Sequence, residues 1–161
     1  MKSFSFAPIS SKNSKILILG TMPGIKSLEL NQYYGHSQNN FWKFLFSILE
    51  EEFSYDYETR KKLLIKNNIA LWDVLQFCDR IGSLDSAIKN ETANDFENFL
   101  KKHPQINTIL FNGQKAAAFF KKYVHLNNKY QTIILPSTSP ANAGKAFHDK
   151  LNEWKVIKTL L

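Results

Sequence analysis

The chain has 161 residues, 43% of them hydrophobic and 14% aromatic, and one cysteine, Cys78. That length supports a single domain over 1–161, and the composition excludes a disordered or fibrous chain, an internal disulfide framework and an iron–sulfur cluster held by its own thiolates. Net charge is +7: residues 1–100 hold 11 Lys/Arg against 12 Asp/Glu, residues 101–161 hold 10 Lys against 2 acids, and this asymmetry fits either a polyanionic partner or a solvated lysine face.

The opening MKSFSFAPISSKNSK lacks a continuous apolar core of the secretory kind, and no apolar run approaches the roughly 20 residues needed to span a bilayer. A cytoplasmic location and no membrane partner are expected. Cys78 is read as a buried structural thiol.

The first element is a buried strand, Lys15 to Leu19, ended by Gly20 and followed by the Pro23-Gly24 turn. From Asn39, the spacing of Phe41, Trp42, Leu45, Phe46, Ile48, Leu49 and Phe53 places an aromatic stripe on one side of a helix, with Ser37 or Asn39 as its cap. A polar helix over Tyr57 to Lys66 leads into a second strand, Ile69 to Trp72. Ser83-Leu84-Asp85 opens a short helix, and Thr92 with Asp95 reads as a capping box for a segment ending near Lys102, before His103-Pro104. Thr108 to Phe111 is a third strand, Gly113 to Tyr123 a helix, Thr132 to Leu135 a fourth strand, and a last helix carries Leu151, Trp154, Ile157 and Leu161 on one stripe. Alternating strands and helices predict an α/β fold, a three-layer α/β/α sandwich with a mainly parallel four-stranded central sheet.

In such sheets, ligands sit beyond the carboxyl ends of the strands, where loops converge. Three loops carry unusual residues: Gly20 to Asn40, Asn112 with Gly113, and Pro136 to Asn142. His36, His103, His125 and His148 lack metal-ligand spacing, and no Asp/Glu cluster suits magnesium, so neither metal nor cofactor is expected. A glycine-rich phosphate fingerprint is absent, which disfavours a small-nucleotide sensor.

The segments Gly20-Thr21-Met22-Pro23-Gly24, Tyr33 to Trp42, Leu71 to Leu75, Gly82 to Ser86, Phe111-Asn112-Gly113 and Leu135 to Asn142, in that order, resemble the uracil-DNA glycosylase superfamily. The closest likeness is to its hypoxanthine-DNA (deoxyinosine) glycosylase branch. The resemblance implies one uracil-DNA-glycosylase-like domain over 1–161. It would act on DNA containing deaminated bases, in base excision repair; a monomer is expected, though the sequence leaves dimerisation open. Such a monofunctional enzyme flips the base and hydrolyses its N-glycosidic bond, leaving an abasic site.

The resemblance also assigns residues. Mismatch-specific relatives place a water-positioning Asn where this chain has Met22, and classical uracil enzymes place a His where it has Leu135; neither side chain can take over that role. In the hypoxanthine branch the catalytic residue maps onto Asn39, although Ser37 and Gln38 depart from the family pattern just before it. Tyr34 matches the aromatic that stacks on the extruded base, and Asn112 the residue that reads its edge, with Gly20, Thr21 and Met22 completing the base pocket. Ser137, Thr138, Ser139, Pro140 and Asn142 match the loop pressed against DNA, with Lys145 close behind. From the residues alone, Asn39 reads equally as a helix cap, Asn112 as a turn residue and the Ser/Thr/Pro cluster as an ordinary turn. Other readings are uracil or xanthine excision, and a nucleic-acid-binding module that keeps the fold without catalysis.

Overall fold

The computed structural model describes residues 2–127, 129–141 and 144–161. Four parallel strands, β2 (Ile16–Gly20), β3 (Ile69–Asp73), β6 (Thr108–Asn112) and β7 (Gln131–Leu135), form the central sheet in the order β3-β2-β6-β7. β2 alternates strictly. Ile16 and Ile18 join one core with α2 (Phe41–Ile48), α3 (Tyr57–Lys66), α6 (Phe147–Trp154) and α7 (Val156–Leu160), whereas Leu17 and Leu19 join another with α4 (Phe96–Lys102) and α5 (Gln114–Tyr123). Side chains on successive strand residues point to opposite faces, so one apolar run serves both layers. This is the expected three-layer sandwich.

α2 buries Phe41, Trp42, Phe44, Leu45, Phe46 and Ile48, each worth roughly 1.5–3 kcal/mol when fully removed from water. α3 spans the predicted residues, and Asp56 caps it by accepting from the Thr59 N–H at 3.0 Å. Cys78 is buried, as expected of a structural thiol.

A second sheet was not anticipated. β1 (Lys2–Phe4), β4 (Leu75–Asp79) and β5 (Lys89–Ala93) pair antiparallel in the order β1-β4-β5. β5 is mostly exposed and polar, so no apolar alternation marks it. Only Val74 separates β3 from β4. Its N–H donates to the Gly20 carbonyl at 2.8 Å, while Asn94 Nδ2 donates to the carbonyls of Asp73 and Leu75, clamping the change of sheet.

Four local expectations need correction. Ser83-Leu84-Asp85 opens no α-helix; a single 3-10 turn covers Asp85–Ala87. Thr92 lies in β5, and Asp95 alone caps α4, accepting from the Asn98 N–H. The last helix breaks at Lys155 into α6 and α7, though Trp154 and Ile157 remain on the buried stripe. A short helix, α1 (Ile25–Leu30), occupies the first long loop, where Pro and Gly had signalled only a turn.

Candidate active site

Gly20, Asp73, Asn112 and Leu135 end the four parallel strands on one edge of the sheet. Chain direction across the sheet reverses between β2 and β6, the switch point where crossover loops leave a crevice. A cavity of about 380 Å³ opens there, lined by Gly20 to Ser27, Tyr34, Asn39, Asp73, Asp85, Asn112 and Ser137 to Ala141, among others.

Asn39 stands two residues before α2, half-buried, on the cavity wall. Its Oδ1 accepts from the Phe41 N–H at 3.0 Å, which fixes which end of the carboxamide is oxygen. That bond uses one lone pair and leaves the other, with the amide hydrogens, available. Capping and a site role are therefore compatible. The Asn40 N–H donates to the Thr138 carbonyl at 3.2 Å, joining the start of α2 to the opposite loop.

Thr138 is the point where three elements meet. It is 1% exposed; its N–H donates to Asn112 Oδ1 at 3.0 Å, and Asn112 Nδ2 donates back to its Oγ1 at 2.9 Å. Asn112 thus spends one donor and one acceptor on the loop, leaving one of each. Gly113, at φ +97°, permits this approach, since a Cβ there would stand 3.1 Å from that of Ser137. Trp154 on α6 holds the same loop from behind, donating from Nε1 to the Pro136 carbonyl at 2.9 Å.

Tyr34 lies on the cavity with positive φ (53°), one ring face stacked on Phe41 at 4.2 Å between centroids. Its hydroxyl is buried beside the Asn112 carboxamide without a hydrogen bond, and burial, then the Asp73 charge, push its pKa far up. Tyr33 is a packing residue: its hydroxyl donates to the Ala7 carbonyl at 2.8 Å, and its own carbonyl accepts from Trp42 Nε1. Thr21 and Met22 are buried in the cavity wall with Gly20.

Ser137, Ser139 and Pro140 line the cavity, as does Thr138. Lys145 is not among the lining residues; its ammonium pairs with Glu153 at 2.6 Å. Asn142 lies outside the described residues.

Sequence reasoning assigned no role to Asp73, Arg80 and Asp85. Asp73 is 3% exposed, lines the cavity, and its Oδ2 has no hydrogen-bond partner. Burial, reinforced by the Asp85 charge and opposed by Arg80, pushes its carboxyl up to about 7. Burial also raises Asp85, with the Thr21 side chain, Arg80 and Lys115 pulling back. Arg80 is buried between these loops, donating to the Pro23 carbonyl, and Ser83 Oγ accepts from the Ile25 N–H at 2.8 Å. The available sequence signal was a carboxylate closing an otherwise apolar strand.

A family model of the uracil DNA glycosylase superfamily matches residues 7–160. The chain belongs to the uracil DNA glycosylase superfamily. A hypoxanthine DNA glycosylase of Methanosarcina barkeri is 40% identical over 143 residues, covering 88% of this chain and 89% of that protein. Another so named, from Methanosarcina acetivorans, is 35% identical over 153 residues, covering 94% and 95%. A solution NMR structure from Methanosarcina acetivorans, described as a candidate uracil DNA glycosylase, superposes with a TM-score of 0.84 at 35% identity over 99% of both chains.

Within this superfamily the chain is a DNA glycosylase, a hydrolase of N-glycosyl bonds. Met22 is 8% exposed and packed in the α4/α5 core, and Leu135 is 3% exposed in the other. The polar side chains lining the cavity include those of Asn39, Tyr34, Asn112, Asp73, Asp85 and the Ser137–Ser139 loop. Among the described residues no three His, Cys, Asp or Glu side chains gather as metal ligands, and no helix is long and apolar enough to cross a membrane.

Proposed function

We propose that this glycosylase removes hypoxanthine, the product of adenine deamination, from deoxyinosine in DNA, and that Asn39 is the catalytic residue. Both curated relatives are named hypoxanthine DNA glycosylases, which supports the choice of base. The observation that carries the residue assignment is the position of the Asn39 carboxamide, anchored by one bond at the start of α2 and otherwise free toward the cavity.

Breaking the bond between C1′ and the base builds positive charge on the sugar and negative charge on the base. An amide is too weak a base to deprotonate water at neutral pH, so Asn39 acts by holding water near C1′ in a dissociative departure. Tyr34 is the platform for the flipped base, Asn112 meets its edge through its remaining donor and acceptor, and Gly20, Thr21 and Met22 shape the pocket. Ser137, Ser139 and Pro140 bear on the DNA backbone, and Thr138, buried and bonded to Asn112, holds their loop in place.

The test is base release from an oligonucleotide carrying one deoxyinosine, beside deoxyuridine and deoxyxanthosine. Asn39→Ala is expected to slow release from deoxyinosine by about 100-fold or more while the protein stays folded, with a loss of only about 0.5–2 kcal/mol of stability from the bond to the Phe41 N–H. A rate equal to wild type would remove Asn39 from the mechanism. Absence of deoxyinosine cleavage beside cleavage of another lesion would change the substrate.

A further inference from the structure

Three neighbouring strand ends form the cavity floor: Asp73 on β3, Gly20 on β2 and Asn112 on β6, with about 4.8 Å between adjacent strands. Gly20 holds the middle because a Cβ there would lie 2.6 Å from Asp73 Oδ1 and 2.7 Å from the Tyr34 hydroxyl. The two oxygens thus converge over one glycine. Asn112 is committed on two of its four bonds to Thr138, whereas Asp73 Oδ2 and the Tyr34 hydroxyl have no partner in the protein. Leaving buried polar atoms unpaired is unfavourable, a penalty that a ligand with matching edge atoms relieves.

Resting on the proposed release of hypoxanthine, we propose that Asp73 is a second catalytic residue, a neutral carboxylic acid that donates its proton to the departing purine. The Hoogsteen edge of hypoxanthine offers acceptors at O6 and N7. As the C1′–N9 bond breaks, its electron pair passes to the base and the carboxyl proton is transferred to that edge. The base leaves neutral. Water adds its oxygen to C1′, and the proton it releases restores the carboxyl, so the balance is one water consumed, one abasic sugar and one free base.

The surroundings favour the neutral form at rest. Asp85 faces Asp73 with like charge, Arg80 opposes it from beyond β4, Lys115 on α5 acts on Asp85, and Tyr34 brings only a hydroxyl. Burial outweighs the one facing guanidinium, and a base filling the cavity would desolvate the carboxyl further. A carboxylate there would repel the charge growing on the base; a protonated acid stabilises it.

The experiment is single-turnover release of hypoxanthine from pH 5 to 9 by wild type, Asp73→Asn, Asp73→Ala and His36→Gln. The wild-type rate is expected to be level in acid and to fall about tenfold per pH unit above an apparent pKa near 7. Asp73→Asn keeps the shape without a transferable proton, so release slows by about 100-fold or more and no longer falls above that pH. Asp73→Ala, which removes the donor altogether, is slower still. His36→Gln, which removes the imidazole on the cavity wall, keeps the falling limb. A wild-type rate that rises through pH 7, Asp73→Asn at wild-type speed, or a falling limb retained in Asp73→Asn each overturns the role. Should either Asp73 variant fail to fold, the limb in wild type and His36→Gln still decides. If wild type releases no hypoxanthine at any pH, the substrate reading fails instead; Asn39-dependent release without the limb removes Asp73 alone.

Discussion

Asp73 couples folding to pH as well as facing the cavity. Its folded-state pKa of about 7 lies above the roughly 3.9 of an unfolded aspartate, so between those values the folded chain holds a proton the unfolded chain has lost. Its contribution is therefore full below about pH 4 and declines as pH rises toward 7, by at most roughly 4 kcal/mol at 1.36 kcal/mol per unit. Asp73→Asn should melt higher than wild type at pH 8, with the difference shrinking toward pH 5. Thermal melts across that range test this, and a difference independent of pH would contradict it. At this scale the motif residues were legible: Gly20, Thr21, Met22, Tyr34, Asn39, Asn112 and Ser137 to Pro140 all line one cavity. Asp73 was not, because one polar residue at the end of an apolar run also describes any strand that reaches solvent. Its raised pKa depends on burial and on the charges of Asp85 and Arg80, which arrive from other segments.

At the scale of elements, the loops at the sheet edge are fixed from outside the cavity. Trp154 on α6 is fully buried, stacks edge-on against Phe41 and holds the Pro136 carbonyl. Trp154→Phe keeps an aromatic ring but loses that bond and some volume, so it should cost roughly 1–3 kcal/mol in urea denaturation. It should also slow base release several-fold, since Pro136 leads directly to Ser137 and Thr138. A variant that loses stability but keeps full activity would show that the loop does not need this anchor. The parallel strands and the helices α2, α3 and α5 were readable from the spacing of apolar residues. The strands β1, β4 and β5 were not, being partly exposed and without a continuous apolar run.

Across the whole molecule the basic excess is partly neutralised. Lys101, Lys122, Lys145 and Lys158 pair with Glu97, Glu91, Glu153 and Glu50. Lys115, in the first turn of α5 behind Asn112, has no ion pair among the described residues and lies close enough to Asp85 to lower its pKa. Affinity for duplex DNA should fall linearly on a log–log plot against salt. Lys115→Ala should flatten the slope by about 1, and Lys101→Ala should leave it unchanged. Equal slopes for wild type and both variants would take Lys115 off the DNA path.

The sequence by itself determined the layered α/β architecture, through apolar periodicity, and the residues of the cavity wall, through local motifs that keep their order along the chain. Tertiary structure alone decided which carboxyl loses its water and which donors are already spent. Desolvation and hydrogen-bond saturation are set by atoms far apart in the chain: Asn112 meets Thr138 across 26 positions, and Asp73 meets residues from several separate loops.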